Sequence, residues 1–379
     1  MDGFERIATT LRFREPDRVP LDIGGTSVTG IAVAALRRLL ADRGIESKIT
    51  VPDQVQQVGV PSAAALRSLR VDTARIGPPR IRDFDQHEQE LEGTVRITDP
   101  WGVAWEHKTG EHYFSQVSRP LEDAAGLDEA LGGYEPPDPP SADLLQNIVK
   151  DSPTDRSAFP ILDRDTAGIF EMSCRLRGLE TLCMELLFEP ASCERLADII
   201  LEYKMAYWDR LLEAFGEGQV VVAEADDFGS DSSLLIDPAL IRRLYLPRWR
   251  ELFSFIKRRN PAARIFFHSC GAIRAIIPDL IEAGVHILNP VQYTAHGMVP
   301  AELKAQFGRD LVFWGGGIDT KQILPFGSPA EVRDEVRRII DLMAPGGGFV
   351  FATVHNIQAD VPPANLEALL QALDDYGAY

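Results

Sequence analysis

The chain lacks a basic surplus. It carries 57 Asp and Glu against 39 Lys and Arg, for a net charge of −18. A surface that tracks a nucleic-acid duplex needs a basic stripe, so nucleic acid is not an expected partner. The basic clusters "RRLYLPRWR" (242–250) and "KRR" (257–259) alternate with apolar residues at helical spacing and read as solvated helix faces. No run of about 18 apolar residues occurs, so no membrane-spanning helix is expected. The opening "MDGFERIATTLRFREPDR" contains acids and no apolar core of a signal peptide. Cysteine is scarce: Cys174, Cys183, Cys193 and Cys270. The first three share one helical region and form no spaced disulfide framework. A reduced, cytoplasmic protein is the expectation. Internal repeats and low-complexity tracts are missing. No Gly-x-Gly-x-x-Gly turn follows an early strand, which weighs against a dinucleotide-binding sheet.

What is present is a large apolar complement, 45% of 379 residues, enough for a sizeable core. The densest proline stretch, "YEPPDPPSADLL" (134–145), reads as a connector. Before it, "TVRITDPWGVAWEHKTGEHYFSQV" alternates apolar and polar residues between turn signals, as antiparallel hairpins do. Trp101 and Trp105 there read as packing residues. The expected organisation is a single barrel domain over residues 1–379, with 85–145 as a hairpin or lid insertion together with the proline-rich connector. After residue 145, short apolar runs alternate with helical segments, one of them periodic from Ile169 to Phe215. Repeated strand–helix units imply a parallel sheet, either open or closed into a (β/α)8 barrel.

The positions of polar residues favour the barrel. The apolar runs end in Asp163 and Asp165, in Glu224, Asp226 and Asp227, in His268 and Cys270, in Asn289 and Gln292, in Asp319, and in His355 and Asn356. A barrel gathers the C-terminal ends of its strands at one mouth, where active sites of this architecture lie. "VPLDIGG" and "VDTARIG" are the candidate earlier strands.

Within that ring, His268 and Cys270 are two residues apart and so share one face of a strand. Imidazole nitrogen with thiolate sulfur suits zinc. His355, at the end of the last strand, lies across the mouth and supplies a third donor, with Gly271 and Gly346–Gly348 leaving room for close approach. Three protein ligands and one open position is the pattern of catalytic zinc. The same residues also fit a hydrogen-bonded core histidine beside a small apolar filler, and spacing alone does not choose.

The stretches "FFHSCGAIRAIIPDLIEAGVHILNPVQ", "FWGGGIDTKQILPFGSPAEVR" and "GGFVFATVHNIQADVPPANL" resemble the uroporphyrinogen decarboxylase (URO-D) superfamily. So do "REPDRVPLDIGG" and "EADDFGSDSSLLIDPALIRRLYLPRW". The resemblance runs in order along nearly the whole chain and implies a distorted (β/α)8 TIM barrel. True decarboxylases of the superfamily carry an Arg-Gln-Ala-Gly-Arg segment that binds tetrapyrrole carboxylates. The matching place here, "LDIGGTSVTG", has no arginine. The zinc- and corrinoid-dependent methyltransferase branch uses a His-x-Cys pair, matched by His268 and Cys270, and a third ligand near the C-terminus. That ligand is usually a cysteine in the coenzyme M branch, whereas His355 stands at its place here.

The resemblance implies transfer of a methyl group between a small methylated substrate or thiol and a corrinoid (cobalamin) cofactor, the latter arriving on a carrier protein. Glu171, Asp226 and Asp227 are the candidate acids around the metal. Asp163, Glu224, Asn289, Gln292, Asp319 and Asn356 are the candidate substrate contacts. One of Glu224, Asp226 and Asp227 also fits a role as cap of the following turn, and Glu171 a first-turn helix acid. Two alternatives stand beside this reading. One is a metal-free carboxy-lyase of the decarboxylase type in porphyrin (tetrapyrrole) metabolism, and the other is a non-catalytic metal-binding protein. A monomer or homodimer is expected.

Overall fold

The protein is described by a computed structural model covering residues 1–79, 89–91, 93–152 and 157–379. Seven strands form one sheet: β1 (Thr73–Ile76), β2 (Phe159–Asp163), β3 (Val220–Ala225), β4 (Ala263–His268), β5 (Ile287–Asn289), β6 (Val312–Trp314) and β7 (Phe349–Val350). They lie in chain order and every neighbouring pair is parallel. The eighth place is taken by the segment around Leu21. Leu21 makes a parallel bridge to Phe351, and the Asp22 amide donates to Phe351 O at 2.8 Å. On its other side, the Asp72 amide donates to Leu21 O at 2.8 Å. The segment thus joins the last strand to the first, and the fold is a distorted (β/α)8 barrel.

Strand side chains alternate between two environments, as the two-residue period requires. Ile161, Val221, Phe266, Ile287, Val312, Trp314 and Val350 form one buried cluster, the barrel interior. Ile7, Ala8 and Leu11 from the end of helix α1 (Gly3–Thr10) join it. The start of α1 is fixed by a reciprocal capping box between Asp2 and Glu5, and Phe4 stacks on Phe159 with centroids 4.9 Å apart. The helix therefore plugs the N-terminal end of the barrel. Leu162, Val220, Val222, Ile265, Phe267, Leu288, Phe313 and Phe349 point the other way and pack under the surrounding helices.

The periodic stretch after β2 is three helices rather than one. These are α2 (Ile169–Arg177), α3 (Leu179–Phe188) and α4 (Pro190–Phe215). Gly178, with φ +96, breaks the first junction, and Pro190 at the first position of α4 sets the second. The hairpins are found as an antiparallel sheet of Gln89–Leu91, Thr94–Thr98, Ala104–Lys108 and Ser115–Ser118. The expected start of this insertion, at residue 85, falls outside the described residues. Trp101 packs on Tyr203 with centroids 4.7 Å apart, and Trp105 donates its indole N–H to Asp99 at 2.9 Å. Among the described residues, no helix is long and apolar enough to cross a membrane.

One ion cluster ties the plug to the barrel. Buried Asp72 accepts from Arg6 Nη1 at 2.6 Å, Arg18 Nη1 at 2.8 Å and the Leu21 amide at 2.9 Å. Removing the anion leaves two guanidinium groups in poorly solvated positions. Breaking a buried pair from one side costs about 3–5 kcal/mol. Asp72→Ala is expected to lower unfolding stability by about that amount, measured by urea denaturation, and an unchanged midpoint would refute this role.

Candidate metal centre

The register brings the inward ends of the strands together. His268 pairs with Ala225 on one side and Asn289 on the other. Past β4 the chain carries Cys270 and then turns sharply at Gly271, whose φ is +88 and where a Cβ would lie 2.6 Å from the Gly229 backbone. Gln292 braces this turn, accepting from the Gly271 amide at 2.8 Å and donating to Asp231 at 2.7 Å. His355 sits on the loop beyond β7. That loop is held at both ends, by the Phe351 bridge to Leu21 and by the Ile357 bridge to Ile31. Asn356 holds its middle. It accepts from the Gly30 amide at 2.7 Å and donates to Ser27 O and to Gln56 at 2.9 Å each.

The result is a compact donor set. One ligand atom from each of His268, Cys270 and His355 lies within 4.8 Å of the others. Cys270 Sγ is 3.3 Å from His268 Nε2, and the two imidazole rings are 5.6 Å apart. Tetrahedral zinc, with bonds of about 2.0 Å to nitrogen and 2.3 Å to sulfur, spaces its donors about 3.5 Å apart. The observed spacing fits such an ion with small side-chain adjustments.

The tautomer of His268 is dictated from below. Asn289 donates through Nδ2 to Trp314 O at 2.6 Å, which fixes its amide orientation. Its Oδ1 therefore faces His268 Nδ1 at 2.5 Å and must accept from it. The lone pair of His268 is thereby left on Nε2, the atom beside Cys270. Burial lowers the pKa of His268 and His355, so both are neutral at physiological pH and able to ligate. Burial and nearby Asp227 raise the Cys270 pKa, so the free thiol is protonated and ligation would require a bound cation to ionise it.

A cavity of about 140 Å³ opens beside this set, lined by His268, His355, Asp227, Glu171, Arg75 and Arg164 among others. Asp227 accepts from the Cys270 amide at 2.8 Å, and the same oxygen is 3.6 Å from His268 Nε2. Glu171 faces the cavity paired with Arg175 one turn on.

The remaining expected residues separate by strand face. Glu224 lies on the outward side of β3, where Lys204 Nζ at 2.7 Å and Trp208 Nε1 at 2.6 Å take its two oxygens. It braces the barrel wall against α4 and does not border the cavity. Asp226 is also turned outward, and its oxygens accept from the Phe170 and Glu171 amides and from Trp249 Nε1 at 2.9, 2.8 and 3.0 Å. It caps α2 from a neighbouring strand. Gly168 is needed for that approach, since a Cβ there would lie 2.2 Å from Asp226 Oδ1. Asp226 titrates at about 7, raised by burial. Asp163 points inward and accepts from Arg75 Nε at 2.8 Å and the Ser27 amide at 3.1 Å. Asp319 is occupied by the Lys321, Gln322 and Ile323 amides. Gly346–Gly348 lie at the far end of the last strand, against Phe13 and Arg14, and give the site no room.

Ser27, Asp53, Gln56, Arg75, Arg164, Thr166 and Arg175 line the cavity without having been singled out in the sequence. Only Arg75 carried a readable signal, as the inward partner of Thr73 in "VDTARIG".

Fold and site together define a parallel α/β barrel with an open nitrogen–nitrogen–sulfur donor set at its C-terminal mouth. The sequence model of the uroporphyrinogen decarboxylase (URO-D) family matches residues 166–376, more than half of the chain, and the chain belongs to that family. A methyltransferase from Methanosarcina mazei has a similar structure. The TM-score is 0.67 and the match covers 99% of each chain, at 16% sequence identity. No curated protein matches.

Two outcomes follow from the geometry. The purified protein is expected to bind one zinc or cobalt(II) per chain, with loss of metal in His268→Ala, Cys270→Ala and His355→Ala by elemental analysis. Wild-type-like metal content in all three variants would rule the centre out. Asn289→Ala, which frees the His268 ring, should weaken metal affinity about 10–100-fold in a chelator competition.

Proposed function

We propose that this protein is a zinc-dependent methyltransferase that moves a methyl group between a small methylated substrate or thiol and a corrinoid. The observation that carries the reading is the donor set of His268, Cys270 and His355 beside a small cavity at the barrel mouth. The fold shared with a protein named a methyltransferase supports it. A bound zinc ion would supply Lewis acidity to the sulfur or oxygen that gives or takes the methyl group.

The chain's own residues do the rest. Trp314 O and Asn289 hold His268 in its ligating tautomer, and Gln292 holds the turn that presents Cys270. Asp227, anchored by the Cys270 amide, places a carboxylate at the cavity edge, where it can accept a proton from an entering thiol. Asp226 keeps α2 aimed so that Glu171 and Arg175 face the same space. The antiparallel sheet of residues 89–118 stands near the rim, with Arg175 over the Trp105 ring at 5.4 Å, and serves as a lid. The corrinoid arrives on a separate carrier protein.

The carboxy-lyase alternative is disfavoured by two observations. The segment 21–30 has no arginine. The cavity of about 140 Å³ suits a small molecule rather than a whole tetrapyrrole.

The test is methyl transfer by the zinc-loaded protein. Methylcobalamin with a panel of small thiols, and cobalt(I) corrinoid with small methyl ethers and thioethers, cover both directions. Cobalt-centred absorbance should report turnover that falls to background in Cys270→Ala. Absence of turnover in both directions, with zinc bound, would overturn the reading.

A further inference from the structure

Arg164 follows β2 and lines the same cavity. Its side chain is 10% exposed. Its Nη1 is buried and has no hydrogen-bond partner. The facing carboxylate oxygen, Asp163 Oδ1, is 4.0 Å away and also unpartnered. Asp163 cannot neutralise Arg164 fully, because its other oxygen already holds Arg75 Nε at 2.8 Å. One carboxylate thus stands between two guanidinium groups.

Three other acids around the cavity have donors of their own: Glu171 pairs with Arg175, Asp165 accepts from Tyr203 at 2.7 Å, and Asp53 accepts from Gln56 at 2.9 Å. Asp227, with one oxygen held by the Cys270 amide at 2.8 Å, stands beside the histidines of the metal centre. A guanidinium stays charged in a protein, and a buried charge without hydrogen bonds is costly. Such a cation bordering a cavity is complementary to an anionic ligand, above all a planar carboxylate that takes two of its N–H groups at once.

We propose that the small substrate carries a carboxylate that Arg164 binds, while its sulfur or oxygen faces His268, Cys270 and His355. This deepens the methyltransferase reading and rests on it for the second half only. The class implied is a short bifunctional acid, a thiol or methylated heteroatom at one end and a carboxylate at the other. Arg164 lines one cavity with His268 and His355 of the metal centre.

The experiment uses 3-mercaptopropionate and its neutral amide, titrated calorimetrically into the cobalt(II)-loaded protein. Propionate and propionamide are titrated into the metal-free protein in parallel. Wild type should prefer each acid over its amide at least tenfold. Arg164→Met should bring the preference to within about twofold at unchanged metal content, and Arg164→Lys should restore part of it. A wild-type preference near one, or a preference kept in Arg164→Met, overturns the subsite. A protein that takes up no cobalt but shows the Arg164-dependent preference for propionate keeps the subsite and overturns the metal reading.

Discussion

Everything at the mouth depends on the two-residue period of a closed parallel sheet. Strands covered on both faces cannot choose which residues meet the barrel axis. Once Phe266 is inside, His268 is inside and Phe267 is outside. The same count puts Asp163 and Asn289 inward beside it, and Glu224 outward. The interior below is filled by Ile161, Val221, Phe266, Ile287 and Val312, so polar groups gather at the C-terminal end, opposite the plug made by α1.

The same constraint marks what could be read from the sequence. The strand–helix alternation, His268 and Cys270 two apart, and the hairpins were legible because each is a local pattern. The outward faces of Glu224 and Asp226 are not legible in the sequence, since the face of a strand residue depends on register against its neighbours. The pairing of Ala225 with His268 fixes it. Arg164 was hidden for a different reason. Nothing in "LDRD" separates an arginine facing solvent from one buried without a hydrogen bond. The first barrel strand was faint because it contributes one bridge at Leu21 and relies on Asp72 to hold it.

Buried carboxylates do two kinds of work here. Glu224, Asp226 and Asp72 have their oxygens filled by cations, indoles and amides of the protein, and they fix elements in place. Such groups are costly to break and offer a ligand nothing. Asp227 is different, because only its Oδ1 is tied to the Cys270 amide and its side chain is 38% exposed. The distinction between structural and available acids follows from counting partners.

The donor set also has a consequence for charge. Two neutral imidazoles and one thiolate would leave a zinc dication with a net charge of about +1, where a second thiolate would leave it neutral. A more cationic centre binds an anionic sulfur or oxygen more strongly. Asp227 lies on that side of the cavity, 3.6 Å from His268 Nε2, and can offset the charge before substrate enters. Arg164 stands near the same centre with its charge only partly met by Asp163. With a zinc ion bound and Arg164 unsatisfied, the cavity would favour a ligand with two electron-rich ends. It would discriminate against a molecule that fills only one of them, because the other group would stay buried and unpaired.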